Sequence, residues 1–192
     1  MEPQAELLLF NYTARATYEN TWNAVEVASH GLIVHWPGAQ LAALPFPKFF
    51  NVGQRPDTAL DELGVHPGPV EVTSKLDGSL GILYRSSDGF AVATRGSFTS
   101  PQAVWATEHL RTHYDLSALP DDVTLLFEIV YPDNPEGPIP RYGQTADLVL
   151  IGARRFDGYD AAYTELRAFG DQFGFPSSRS ALRVTTSNIW GG

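Results

Sequence analysis

Thr73 to Arg95 reads TSKLDGSLGILYRSSDGFAVATR, and this stretch decides the fold class. LGILY and FAVAT are short apolar runs joined by SSDG, which predicts an antiparallel hairpin closed by a tight turn. VEVTSK lies just upstream, followed by a DGS turn, and predicts a further strand beside LGILY. The same stretch holds Lys75. The chain has only two lysines, Lys48 and Lys75, against 11 arginines. Arginine cannot replace a lysine that must lose its proton and act as a nucleophile, so both positions call for an explanation.

On the N-terminal side, residues 7–18 (LLLFNYTARATY) and 31–36 (GLIVHW) predict short strands, and 44–50 (LPFPKFF) an extended, proline-interrupted edge. Residues 51–70 are rich in turn formers and read as a connector with one short helical turn. On the C-terminal side, Ser100 and Pro101 predict a helix running to about His113, with Ser as N-cap and Pro at the first position. VTLLFEIVY (123–131) and DLVLIGARRF (147–156) predict two strands, and residues 160–174 a helix ending on glycine. The tail SALRVTTSNIWGG shows no strong pattern. Hairpins, helix, strand, strand and helix, without strict strand–helix alternation, point to one largely antiparallel α+β domain over residues 1–192.

At 192 residues and 43% hydrophobic, the chain can bury a real core. It lacks an apolar run of the roughly 18 residues needed to span a bilayer, and MEPQAELLLF has no basic n-region, so the expectation is a cytoplasmic protein without membrane contact. Cysteine is absent, which excludes disulfides and thiolate metal sites. A formal charge of −9 argues against broad, nonspecific coating of nucleic acid, yet permits a small cationic pocket.

Residues two apart on a strand share a face, so Lys75 and Asp77 project together if the strand persists through Asp77. Gly78 would let the backbone turn and a ligand come close. KxDG is short, and in isolation an ordinary ion pair is its better reading. Three other features add weight. Glu128 interrupts TLLFEIV, where a carboxylate is costly unless it meets a cation, a metal or hydrogen-bond donors. Arg95 closes a strand next to a glycine, and Lys48 sits among aromatic rings in PFPKFFN. Together they supply a nucleophile, phosphate-binding cations, a metal-compatible carboxylate and flat apolar surfaces for a base.

Other features read more blandly. His109 and His113 are four apart on the predicted helix, but Glu108 precedes the first histidine, so this is not HExxH and a solvated face is expected. His30 and His35 read as strand-packing or polar-surface residues, and the tryptophans as core or rim. Arg154 and Arg155 fit either a solvated strand end or RNA phosphate contacts.

ATYENTWNAV, GLIV, PFPKFFNVG, SKLDGSLGILY, TRGSFTSPQA, TLLFEIVYPDN and DLVLIGAR, taken in order over most of residues 14–155, resemble the ATP-dependent RNA ligases of the bacteriophage RNA ligase 1 (tRNA-repair) type. These belong to the covalent nucleotidyltransferase superfamily. The resemblance implies a nucleotidyltransferase fold, ATP and Mg²⁺ as cofactors, and RNA ends, tRNA among them, as partners. It implies that Lys75 attacks the α-phosphate of ATP to form lysyl-AMP, from which AMP passes to an RNA 5′-phosphate and is displaced by a 3′-hydroxyl. The attacking amine must be neutral, so burial and nearby cations such as Arg95 and Lys48 are expected around it. By the same resemblance Asp77 orients the lysine or a metal-bound water, and Gly78 lines the nucleotide. Lys48 and Arg95 hold phosphate or ribose, Phe50 lies close to the nucleotide, and Glu128 contacts ribose or the metal.

The chain also departs from that family. His30 stands where an arginine is usual, Leu44 replaces another, and Gln54 occupies an often acidic position. PEGPIPRYG after YPDN is longer and richer in proline. No lysine follows Lys75, so the EG and Lys-x-Lys strands of the family are expected to be missing and the domain to be incomplete at its C-terminus. The alternatives to an RNA-sealing enzyme are therefore an inactive nucleotide- or RNA-end-binding remnant, or one piece of a split ligase completed by a C-terminal fragment.

Overall fold

Antiparallel pairing organises the chain in the computed structural model, which describes residues 6–59, 69–131, 146–177 and 180–185. Strands β1 (Glu6–Asn11), β2 (His30–Trp36) and β3 (Gln40–Ala43) form one sheet in that order. A second sheet has the order β6 (Gly89–Thr94), β5 (Ser79–Ser86), β7 (Val123–Val130), β8 (Asp147–Arg155), and β4 (Pro69–Thr73) pairs with β9 (Ser180–Thr185). Helices are α1 (Ala14–Glu19), α2 (Ala24–Ala28), α3 (Pro101–His113) and α4 (Tyr163–Phe173).

Alternate residues of the four-stranded sheet enter different cores. Ile82, Ala93 and Leu126 face β2 and β3, where Ile33 and Ala43 meet them. Leu83, Val92 and Phe127 face the helices, packing with Ala106, Leu110 and Leu166. Both faces are covered, which is why TLLFEIV reads as a continuous apolar run and not as an alternation. The outer edge of β6 is closed by α3. The Thr107 hydroxyl accepts from Val92 N–H at 3.0 Å and donates to Val92 O at 3.3 Å, and Arg111 Nε donates to Phe90 O at 2.9 Å. These bonds satisfy backbone groups that an open edge would leave available for pairing with another chain.

Several expectations change. The strand predicted over 7–18 stops at Asn11, because the Thr13 side chain caps α1 by accepting from Ala16 N–H. A capping box of Asn23 and Glu26 starts α2, which the strand-centred reading passed over. VEVTSK does not pair with LGILY. Its strand, β4, pairs with β9 inside the tail that had shown no pattern, a partner too distant in sequence for periodicity to reveal. The strand also ends at Thr73, so the alternation argument for Lys75 and Asp77 does not hold. The Pro56–Thr58 turn supplies the helical turn expected within 51–70. The PEGPIPRYG insertion falls outside the described residues.

Residues 44–50 form no strand, but they are pinned by other contacts. Leu44 N–H donates to Thr124 Oγ1 at 2.8 Å, Arg154 Nη1 to Pro45 O at 2.7 Å, and Lys48 N–H to Val27 O at 2.8 Å. The Phe46 ring seats directly on Gly152 of β8, where a Cβ would overlap Cζ and come within 2.9 Å of Cε2. Gly152→Ala should therefore push Phe46 out and cost about 1–3 kcal/mol of stability. Thermal unfolding followed by circular dichroism checks this, with a drop of about 2–4 °C expected per kcal/mol lost.

Candidate active site

Where β5 begins and β6 ends, the two sheets leave a cleft of about 390 Å³, within the roughly 300–1,000 Å³ of small-molecule sites. Its lining includes His30 at the start of β2, Gly78 and Ser79 at the start of β5, and Thr94, Arg95 and Gly96 at the end of β6.

Glu128 stands beside this cleft because β7 runs antiparallel to β5 with Leu80 opposite Glu128 and Ser79 opposite Ile129. The Gly78 backbone passes so near β7 that a Cβ would overlap Ile129 O and lie 3.2 Å from Glu128 Cγ. Glycine is thus required here by the packing of the protein itself, beyond any ligand. The Gly78 backbone N–H favours the charged form of the Glu128 carboxylate. Burial lifts the Glu128 carboxyl above its ordinary value; the Gly78 N–H and Lys75 act against this, and Asp77 adds to it. Lys75 and Asp77 thus act on Glu128 from the segment between β4 and β5, and both are exposed. The burial expected around Lys75 is not found, since nothing in that irregular segment folds over the side chain.

Across the cleft, Arg95 Nη1 donates to Tyr12 Oη at 2.7 Å. Tyr12 stacks on His30 with centroids 5.8 Å apart and meets Trp22 edge-on at 5.0 Å; Trp22 in turn meets Phe50 at 5.3 Å. Lys48 Nζ lies 4.8 Å from the Phe50 ring centre and 5.7 Å from that of Trp22, and donates to Phe49 O. Burial, then the like charge of Arg95, hold the Lys48 amine below its ordinary value. Phe50 also carries Arg55 at 4.6 Å. The seven sequence candidates thus fall into two groups. Lys75, Asp77, Gly78 and Glu128 gather on the β5–β7 side, while Lys48 and Phe50 form an aromatic cluster reached from Arg95 through Tyr12 and His30.

His30, which the sequence suggested was a packing or surface residue, is 9% exposed and lines the cleft. Its place at a strand start before Gly31 was the available signal. His109 is not on a solvated face either. It is stacked between Trp105 at 4.7 Å and His113 at 4.2 Å, and its Nε2 lies 3.0 Å from Asp147 Oδ1, which also accepts from Tyr114 Oη at 2.6 Å. Arg154 and Arg155 are used structurally. Arg154 holds Pro45 O and faces Asp160, and Arg155 pairs with Asp122 and Asp157.

A family model described as RNA ligase matches residues 28–188. No curated protein matches the chain. An archaeal ATP-dependent RNA ligase (form 1) has a similar fold, with TM-score 0.61 and 21% identity, over 81% of this chain and 42% of that one. A putative ATP-dependent DNA ligase from Aquifex aeolicus gives 0.56 and 19%, over 91% and 50%. An RNA ligase from Naegleria gruberi, determined with PPi, gives 0.54 and 18%, over 74% and 46%. These identities establish likeness of fold, and the chain spans half or less of each of these proteins.

Glu128 gives a test of the site's energetics. A carboxyl whose folded value is raised stabilises the fold only below its unfolded value; the charged form becomes a burden as pH rises through the raised value. Glu128→Gln should therefore raise the melting temperature at pH 7 by about 2–4 °C for each kcal/mol relieved. The gain should vanish below about pH 4, where the wild-type carboxyl is neutral folded and unfolded alike. Melting curves across pH 3.5–8 check this. A gain that is constant with pH would show that charge is not the cause.

Proposed function

The chain belongs to the RNA ligase family, and we propose that it binds ATP in the cleft beside Arg95 and accepts AMP covalently on Lys75, for transfer to an RNA 5′-phosphate and sealing by a 3′-hydroxyl. One observation carries this reading. Arg95 lines the cleft, Lys48 feels its charge, and Lys75 acts on Glu128 beside it; none of the three forms an ion pair among the described residues, as Arg111 and Arg167 also do not, whereas Arg15, Arg55, Arg85, Arg154 and Arg155 each face a carboxylate. In a chain of net charge −9, cations left without carboxylates around a cleft are suited to an anionic ligand such as a triphosphate.

The unprotonated Lys75 Nζ attacks the α-phosphorus, an N–P bond forms, the bond from that phosphorus to the bridging oxygen breaks, and pyrophosphate leaves with the electron pair. The attacking nitrogen gives up a proton to solvent. Arg95 and Lys48 hold phosphate charge, Glu128 holds the nucleotide or metal through its carboxylate, and Asp77 steers Lys75. Phe50 and the neighbouring rings give the cleft an apolar flank. The exposed Lys75 gains its desolvation when the nucleotide itself covers the cleft.

A divalent cation such as Mg²⁺ fits the donors only in part. Among the described residues no three His, Asp or Glu side chains could together hold a metal ion. Glu128 and Asp77 offer two carboxylates, and Mg²⁺ is commonly held by one or two carboxylates together with substrate phosphates. When bound, it would offset charge on the phosphates.

Incubation with Mg²⁺ and ATP labelled on the α-phosphate should give protein-bound, acid-labile label that survives denaturation and is lost in Lys75→Ala. Label that persists in Lys75→Ala would remove Lys75 as the nucleophile. If wild type takes up no label but binds ATP, the chain is a binding module or needs a complementing fragment.

A further inference from the structure

The hydrogen-bonding role of the His30 imidazole is fixed by the protein before any ligand enters the cleft. Its Nδ1 lies 3.1 Å from the carbonyl oxygen of Phe46. A carbonyl can only accept, so Nδ1 must carry the proton and donate. In the neutral ring Nε2 is then bare and can only accept. Burial lowers the affinity of His30 for a second proton; the Phe46 bond opposes this, while Arg95 and Lys48 reinforce it. The ring cannot easily turn to exchange the two nitrogens. Tyr12 is stacked on it at 5.8 Å with an interplanar angle of 12°, Phe49 meets it edge-on at 6.3 Å, and the Phe46 carbonyl belongs to the pinned segment 44–48.

His30 is nine-tenths buried, lines the cleft, and has no partner for Nε2 among the described residues. A bare ring nitrogen repels phosphate oxygens, which have no proton to offer, and rewards a neutral donor. We propose that His30 is a specificity-determining residue of the cleft, whose Nε2 accepts a hydrogen bond from a neutral donor on the nucleotide, a ribose hydroxyl or the exocyclic amine of the base. This rests on the cleft being the nucleotide site. It also divides the cleft: Arg95, with donors only, takes the anionic part of the ligand, and His30 takes an uncharged part.

The test is calorimetric titration of the full chain with ATP, 2′-deoxyATP, 3′-deoxyATP, purine riboside triphosphate and AMP, without divalent cation so that binding is read apart from turnover. Wild type should bind one of the three donor-deleted triphosphates about tenfold more weakly than ATP, identifying the donor that is read. In His30→Ala, ATP should weaken by a similar factor, the penalty on that analogue should disappear, and the ratio of ATP to AMP affinity should stay unchanged. His30→Gln, which keeps an acceptor, should retain part of the discrimination. Equal binding of all four triphosphates by wild type overturns the assignment, even if His30→Ala fails to fold. A penalty that survives in His30→Ala, or a changed ATP to AMP ratio, overturns it as well. Failure of wild type to bind ATP would remove the nucleotide reading and this one with it, whereas ATP binding without discrimination removes only the role of His30.

Discussion

Gly78 passes so close beneath the β7 backbone that no side chain fits between, and the arrangement of the site follows from that contact. It fixes the register that sets Ser79 opposite Ile129 and Leu80 opposite Glu128. It brings the Gly78 N–H near the Glu128 carboxylate, where it eases the charge of the one ionisable group in an apolar strand. It also ends the irregular segment carrying Lys75 and Asp77 at a point where both act on that carboxylate. If β5 began one residue later, Glu128 would lose this N–H and the alternation of Ile82 and Leu83 between the two cores would invert.

Both cores contribute to holding the site. The core between the sheets sets β2 against β5 and β6, which brings His30, Ser79 and Arg95 to one cleft. The core beneath the helices holds the other face of β7 and β8, while Phe46 on its Gly152 seat packs against the core between the sheets. Lys48 is held from two directions. Its backbone is tied to α2 through Val27 O, and its position along the chain is set by Phe46 two residues before it. Rigid elements therefore carry Glu128 and Arg95, while Lys75 stands on a segment without regular hydrogen bonding, where a nucleophile can approach a ligand.

The parts legible in the sequence were those set by local physics. The SSDG hairpin, the Ser100–Pro101 helix start, the glycine after α4 and the apolar strand around Glu128 each follow from a turn, a cap or a run of side chains, and each is found. The family resemblance, carried by ordered motifs, agrees with the matched RNA ligase model. What could not be read was non-local. The pairing of β4 with β9 joins segments more than a hundred residues apart. The pinning of 44–48 uses carbonyls and a phenyl seat, which leave no periodicity. His109 passed for a solvated residue because its partner Asp147 lies on a different element. That His30 also lines the cleft was not readable for the same reason, since it depends on contacts such as that with the Phe46 carbonyl.

The distribution of charge explains how an acidic chain can still present a site for an anion. Exposed ion pairs contribute little to stability, with a median of about 0–1 kcal/mol each, so matching Arg15, Arg55, Arg85 and Arg155 to nearby acids does more for the surrounding field than for the fold. It neutralises those arginines, Arg55 over the Phe50 ring among them, and leaves Lys48, Lys75 and Arg95, like Arg111 and Arg167, without a carboxylate partner among the described residues. Lys48 and Arg95 carry like charge, which adds to burial in holding the Lys48 amine low. Part of that repulsion is offset by the faces of Phe50 and Trp22 around Lys48 and of Tyr12 beside Arg95. Aromatic rings can hold a cation without neutralising it, as a carboxylate would. The PFPKFF segment with Tyr12 and Trp22 is therefore the means by which two like charges are kept close together and still available to a ligand.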